Sequence, residues 1–271
     1  MKVPELNEAR PTVLKIGGSV VTDKEGELAA RTQTINRLVE EILAAEVENL
    51  ILVHGGGSFG HPVAEKYRIK AGFRDEIQKI GFSETHHVMT MLNGLFMDAL
   101  LWHDIPAISI TPSSCIITED GRIRSFEDTA LKMLLKMNFL PVLYGDAVFD
   151  IRLGFTILSG DQLVAVLASK FNAKRVIIGV DVDGLFSCDP KTGKTAKLFD
   201  RLTLKELRGV QDKIGQSGAC DVTGGMSGKI AELIPVVEKG IPVTIVNATQ
   251  ANYVCKVLKG DKVKSTLLEK E

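Results

Sequence analysis

Four cysteines are spread through 271 residues, and no two of them lie close together in the chain. Cys115, Cys188, Cys220 and Cys255 form no C-x-x-C pair and have no histidine at ligand spacing, which excludes a zinc ribbon and a disulfide framework. Reduced thiols in a cytoplasmic protein are expected. Long apolar runs are also missing: nothing approaches the roughly 18 residues of a membrane span, and the opening MKVPELNEARP has no apolar signal core. Neither sign of charge is in excess, with 33 Lys and Arg against 34 Asp and Glu for a net of −1. That balance excludes a broad electrostatic footprint for nucleic acid or an anionic membrane. No repeat, low-complexity tract or Ser/Gly/Pro linker divides the chain. Residues 1–271 are therefore expected to form one domain, a length that open α/β sheets reach as a single body or as two lobes sharing a sheet.

What is present is a large apolar fraction, 45%, together with 25 glycines, enough for a substantial core. Short β-branched runs at residues 12–16, 50–53, 107–110, 141–144, 175–178 and 242–246 read as strands buried on both faces. Helical periodicity occupies residues 34–45, 83–102, 128–137, 161–171 and 226–239. The alternation predicts a largely parallel sheet with helices on both faces. Asp120-Gly121 predicts a hairpin within residues 115–124, and a second hairpin is expected around residues 149–157 with Gly154 in its turn.

The glycines fall at the junctions of these elements. Gly17-Gly18-Ser19 follows the first strand, Gly55-Gly56-Gly57 the second, Ser159-Gly160-Asp161 precedes a helix, and Thr223-Gly224-Gly225 opens another. Ligands of open α/β sheets bind at such strand ends, and converging backbone N–H groups suit phosphate. HGGGSFG at residues 54–60 formally contains G-x-G-x-x-G. The dinucleotide fingerprint also needs a helix starting within the glycines and an acidic residue about 20 positions on, at the end of the next strand. His61-Pro62 interrupts the stretch, and Asp75 and Glu76 lie in a polar segment, so that reading is set aside. No glycine cluster is followed by Lys-Ser or Lys-Thr, which excludes a Walker A loop.

Several charged residues stand out against this frame. Lys15 places an ammonium in a buried strand, where an unpaired charge is costly. Lys229 falls in the first turn of a predicted helix, beside N-terminal amides that attract anions. Asp161 reads either as a helix cap or as a functional carboxylate. His61 either caps the segment before Pro62 or donates to an anion held by the glycine amides. Lys24 also reads as part of an ordinary solvated turn. His86, His87 and His103 read as surface or core residues.

Taken in order, Lys15-Ile-Gly-Gly-Ser19, His54-Gly-Gly-Gly57, Ser159-Gly-Asp161, Gly179-Val-Asp-Val-Asp-Gly-Leu185 and Gly224-Gly-Met-Ser-Gly-Lys229 resemble the amino acid kinase family over nearly the whole chain. The resemblance implies a three-layer α/β/α sandwich with an open, mainly parallel central sheet. It also implies an acceptor-binding lobe of about residues 1–165 and a nucleotide-binding lobe of about residues 166–271, and a kinase using ATP and Mg2+. Within the family, His61 after Gly57-Ser-Phe-Gly60, with Lys24 after Asp23, is similar to the archaeal-type isopentenyl phosphate kinases, with fosfomycin-type kinases as an alternative. A non-catalytic nucleotide or metabolite sensor is a further alternative, which would leave the joint presence of Lys15, Lys24, Asp161 and Lys229 unexplained.

On the isopentenyl phosphate kinase resemblance, Lys15, Lys229 and the amides of Gly17, Gly18, Ser19, Gly57 and Gly225 surround the ATP phosphates. Asp181, Asp183 and Gly184 address the nucleoside, and Asp189-Pro190-Lys191 lies near the adenine. Lys24 stabilises the transferring phosphoryl, and Asp161 orients the lysines. Gly56, Gly57, Gly160 and His61 hold the acceptor phosphate. Magnesium is carried mainly by ATP and water, with no dedicated protein ligands. Isopentenyl phosphate is the small-molecule partner, with no nucleic acid and no membrane, and a homodimer is expected. Its apolar tail is placed against the helix of residues 83–102 and against residues 151–157.

Overall fold

The five residues Thr12–Ile16 are buried at every position, which requires a strand covered on both faces. The computed structural model of the protein describes residues 10–23, 26, 28–188, 190, 196–216 and 226–271. In the first half of the chain the strands are β1 (Thr12–Ile16), β2 (Leu50–His54), β3 (Ala107–Ser109), β4 (Ile116–Glu119) and β5 (Arg122–Phe126). They are followed by β6 (Leu140–Tyr144), β7 (Asp146–Asp150), β8 (Gly154–Leu158), β9 (Arg175–Val180), β10 (Arg201–Thr203), β11 (Val243–Asn247) and β12 (Ser265–Glu269). The early helices are α1 (Gly18–Val21), α2 (Thr32–Ala45), α3 (Gly57–Lys66), α4 (Ile77–Trp102) and α5 (Pro112–Cys115). The later ones are α6 (Thr129–Lys136), α7 (Gly160–Lys170), α8 (Leu204–Gln216), α9 (Met226–Glu238) and α10 (Tyr253–Lys259).

Among the described residues one sheet has eight strands in the order β10-β12-β11-β9-β1-β2-β6-β3, and a second has four in the order β5-β4-β7-β8. In the large sheet only the β11–β12 pairing is antiparallel. The pleat sorts the central strands between two cores. Val13, Ile51, Val53, Val176 and Ile178 pack with residues of α6, α7, α8 and α9. Leu14, Ile16, Leu50, Leu52 and Ile177 pack with α1, α2, α3, α4 and α10. Each such side chain, fully buried, contributes about 1.5–3 kcal/mol. The expected α/β/α sandwich with a mainly parallel sheet is the architecture observed. Both expected hairpins form, with Asp120-Gly121 and Gly154 in their turns.

Three local expectations need correction. A helix, α3, does start within the glycines and continues through Pro62. Proline lacks an N–H and crowds the carbonyl four residues back, yet the short α3 accommodates it while packing on α4. The dinucleotide reading therefore fails on its second ground alone: Asp75 and Glu76 precede α4 and end no strand. Helix α4 begins at Ile77, six residues before the expected start, because Gln78 closes the preceding loop by accepting from the N–H groups of Arg74 and Asp75. The elements α8, α10, β10 and β12 were not anticipated. α8 is mostly polar, with Leu207 buried and Leu204 and Val210 partly buried against the core, and β10 is only three residues long.

Candidate active site

The strands β1, β2, β6 and β9 run parallel, so their carboxyl ends share one edge of the sheet. Beyond it an open cleft of about 980 Å³ is lined by Gly17, Gly18, Ser19, Gly55, Gly56 and Gly57, by Gly145 and Asp146, and by Ser159, Gly160 and Asp161. The first two loops touch backbone to backbone. A Cβ on Gly18 would stand 2.1 Å from the Gly57 nitrogen, and Gly57 itself has φ +49° with Thr22 in the way of any side chain. The glycines here thus let two loops interlock, besides baring their amides. The Gly17 N–H is bonded to the Gly179 carbonyl at 2.8 Å, so of the three amides of this loop assigned to ATP it is already engaged. Those of Gly18 and Ser19 open the first turn of α1, where a helix has no partners for them.

Lys15 reaches the cleft from inside the sheet. It shares a face of β1 with Val13 and its Nζ lies 2.5 Å from Asp161 Oδ1, while Lys229 Nζ is 3.4 Å from Asp161 Oδ2. Burial opposes the Asp161 charge, but the two ammonium groups hold its carboxyl below the usual carboxylate range. Burial pushes Lys15 down from the ordinary lysine value, Asp161 opposes that change, and Lys229 adds to it. Asp161 does not cap α7: Ser159 does, accepting from the Gln162 N–H at 3.1 Å. The carboxylate is thereby free to hold two cations together at the cleft floor.

His61 is exposed on α3 at the cleft wall. The cleft walls desolvate its ring, and the charges of Lys229 and Lys15 further lower its pKa from 6.5. The unliganded ring is therefore neutral near pH 7, and an incoming anion must raise its pKa for it to carry charge. His54 at the other end of the stretch is fully buried. Its ring stacks at 4.6 Å on Phe96 and 5.3 Å on Tyr144, its nitrogens lie 3.2 Å from the Gly55 carbonyl and 3.3 Å from Asn93 Oδ1, and burial drives its pKa to about 4.

Away from the lysines the cleft wall becomes apolar, with Pro62, Ala64, Met89 and Ile157. Behind it Phe82 packs on Phe149 and Phe155 at ring separations of 5.1 and 5.2 Å. Sequence reasoning missed Asp146, a buried carboxylate in this wall whose two oxygens each lie 3.1 Å from His86 Nδ1. The hydrogen bond to Asp146 raises the His86 pKa. The Gly145-Asp146 step after a buried strand was the available signal. Asp181 lines the cleft. Asp183 and Gly184 do not line it: Asp183 accepts from Asn247 at 2.9 Å and pairs with Lys264 at 2.7 Å, and Gly184, at φ +148°, abuts Thr266. Lys24, Asp189, Lys191, Gly224 and Gly225 lie outside the described residues. Among the described residues no group of three or more His, Cys, Asp or Glu side chains gathers as a metal site, and no helix is long and apolar enough to cross a membrane.

A carboxylate pairing two lysines beneath glycine amides has the charge and the donors that phosphoryl groups require. Residues 10–247 match the amino acid kinase family, and the chain belongs to that family of phosphotransferases. Isopentenyl phosphate kinase of Methanothermobacter thermautotrophicus is 38% identical over 262 residues, covering 94% of this chain and 97% of that protein. The isopentenyl phosphate kinase of Methanocaldococcus jannaschii is 36% identical over 261 residues, covering 92% and 95%. A crystal structure of isopentenyl phosphate kinase matches with a TM-score of 0.84 at 36% identity, over 95% of this chain and 99% of that one.

Proposed function

We propose that the protein transfers the γ-phosphoryl group of ATP to isopentenyl phosphate, forming isopentenyl diphosphate and ADP. The observation that carries this reading is the meeting of His61 with the Lys15–Asp161–Lys229 cluster in one cleft whose far wall is apolar. Similarity to relatives named for this activity supports it. An oxygen of the acceptor phosphate attacks the γ-phosphorus in line and the bond to ADP breaks. The acceptor is already an anion, so no general base is required. Lys15 and Lys229 offset charge on the transferring group, and Asp161 keeps both ammonium groups converged where like charges would otherwise separate.

The amides of Gly56 and Gly57 and the ring of His61 hold the acceptor phosphate. Its nearly two negative charges raise the His61 pKa on binding. Met89, Ile157 and the Phe82 cluster receive the tail. With Asp161 committed to two lysines, the donor set fits a magnesium ion that would be held by the ATP phosphates and water and would offset phosphate charge there. The acceptor belongs to the lobe of about residues 1–165 and the nucleotide to about residues 166–271, in a cytoplasmic homodimer. Trp102, 85% exposed, and Leu101 at the end of α4, with Ile108 on edge strand β3, are the surface for the second copy.

The test is ADP release and 31P NMR with ATP, magnesium and one of isopentenyl phosphate, fosfomycin, uridylate, N-acetylglutamate or no acceptor. Selective turnover of isopentenyl phosphate with a diphosphate product is expected. Preference for another acceptor contradicts the tail assignment, and ATP binding without turnover of any acceptor favours a sensor.

A further inference from the structure

The tip of the β4–β5 hairpin touches two helices at once. Its turn residues Asp120 and Gly121 have φ +49° and +76°, the positive values that two-residue hairpin loops favour. On one side the buried Asp150 carboxylate accepts from the N–H groups of Asp120 at 3.2 Å and Gly121 at 2.8 Å. On the other, the buried side chain of Gln162 accepts from the Ile123 N–H at 2.8 Å and donates to the Gly121 carbonyl at 3.0 Å. Arg122 then forms a two-pronged ion pair with Glu232 of α9, with Nη1–Oε1 2.5 Å and Nη2–Oε2 2.8 Å.

The placement of these contacts is what matters. Gln162 directly follows Asp161 on α7, and Glu232 lies three residues after Lys229 on α9, the spacing of neighbours on one helix face. The hairpin tip therefore grips each helix one step from a member of the Lys229–Asp161 pair. An ion pair with an exposed member adds little to stability, but a forked guanidinium–carboxylate contact fixes orientation.

We propose that Arg122, Gln162 and Glu232 are positioning residues for phosphoryl transfer, the hairpin tip holding α9 against α7 at the spacing that keeps Lys229 on Asp161 and aimed into the cleft. This rests on the proposed role of Lys229 in the transfer. Arg122→Ala and Glu232→Gln are each expected to lower kcat roughly tenfold, as a small misplacement of a charge-stabilising group does. KM for isopentenyl phosphate and Tm stay near parental values. The double variant loses no more than either single one, and exchanging the charges, Arg122→Glu with Glu232→Arg, restores most of the rate. Parental kcat in both single variants overturns the proposal. So does a joint loss of kcat, KM and Tm that charge exchange leaves unrepaired, because a purely structural contact gives that pattern. Lys229→Met, assayed alongside, separates the two layers. Full turnover there removes the role of Lys229 itself, whereas an inactive Lys229→Met beside a parental Arg122→Ala removes the clamp alone.

Discussion

His54 and His61 end the same eight-residue stretch, HGGGSFGH, and occupy opposite surroundings. His54 closes β2, and the pleat sends its ring away from the Lys15 side of the sheet, into a stack between Phe96 and Tyr144. His61 sits on α3, exposed and near enough to Lys15 and Lys229 to have its pKa lowered by their charges. Both rings have lowered pKa values, but for His54 the cause is enclosure alone, whereas for His61 two cations contribute. Enclosure serves stability, and proximity to cations gives surroundings that suit a phosphate, the role proposed for His61. A shifted pKa alone does not separate these roles; its causes do.

Substitution at the two positions should give opposite results. His61→Ala is expected to lower kcat/KM for isopentenyl phosphate about 10²- to 10³-fold, the usual effect of removing one donor to a charged transition state. Its Tm stays unchanged, as an exposed side chain allows. His54→Ala should lose about 3 kcal/mol of stability, as truncation of a buried ring does, with turnover per folded molecule within a few-fold of the parent. Denaturant melts and steady-state rates on both variants check the pair, and a large rate loss in the second without instability breaks the comparison.

The pH dependence sharpens it. The unfolded chain binds a proton at His54 below about pH 6.5, whereas the folded protein does so only near pH 4. Stability present above pH 6.5 is therefore lost as the pH falls through that window, about 2 kcal/mol by pH 5. His54→Gln should flatten the curve there. Asp150, held at about 2 by its hydrogen bonds against the effect of burial, loses its contribution only below that window. His86, raised by Asp146, acts in the opposite direction: its contribution is complete below pH 6.5 and disappears as the pH rises through its folded pKa. The smallest effect belongs to exposed His87, where His87→Ala should change stability by less than about 0.5 kcal/mol and leave the rate alone.

Much of this site was legible because its chemistry is written beside glycine. Lys15 was conspicuous as a charge in an apolar run, Asp161 as a polar residue next to Gly160 at a helix start, and Lys229 as a charge in the first turn after Gly224-Gly225. What the sequence could not state is which atoms meet: that Asp161 joins Lys15 to Lys229, or that Gly18 and Gly57 lack side chains because their loops touch. Helix α3 was hidden by Pro62, whose local penalty is outweighed by packing on α4. Asp146 was hidden because its partner His86 comes from α4, 60 residues earlier in sequence, and neither residue is unusual in isolation. The strands β10, three residues at the sheet edge, and β12, half-polar and paired beside it, were missed because such short segments carry little periodicity.

The most direct measurement is an NMR titration of the two imidazoles, with and without isopentenyl phosphate. The predicted result is a His61 pKa below 6.5 in the free protein that rises when the phosphate binds, while His54 remains at about 4 in both states. A bound acceptor that leaves His61 unmoved, or that moves His54 instead, would contradict the placement of the phosphate at the open end of the glycine stretch.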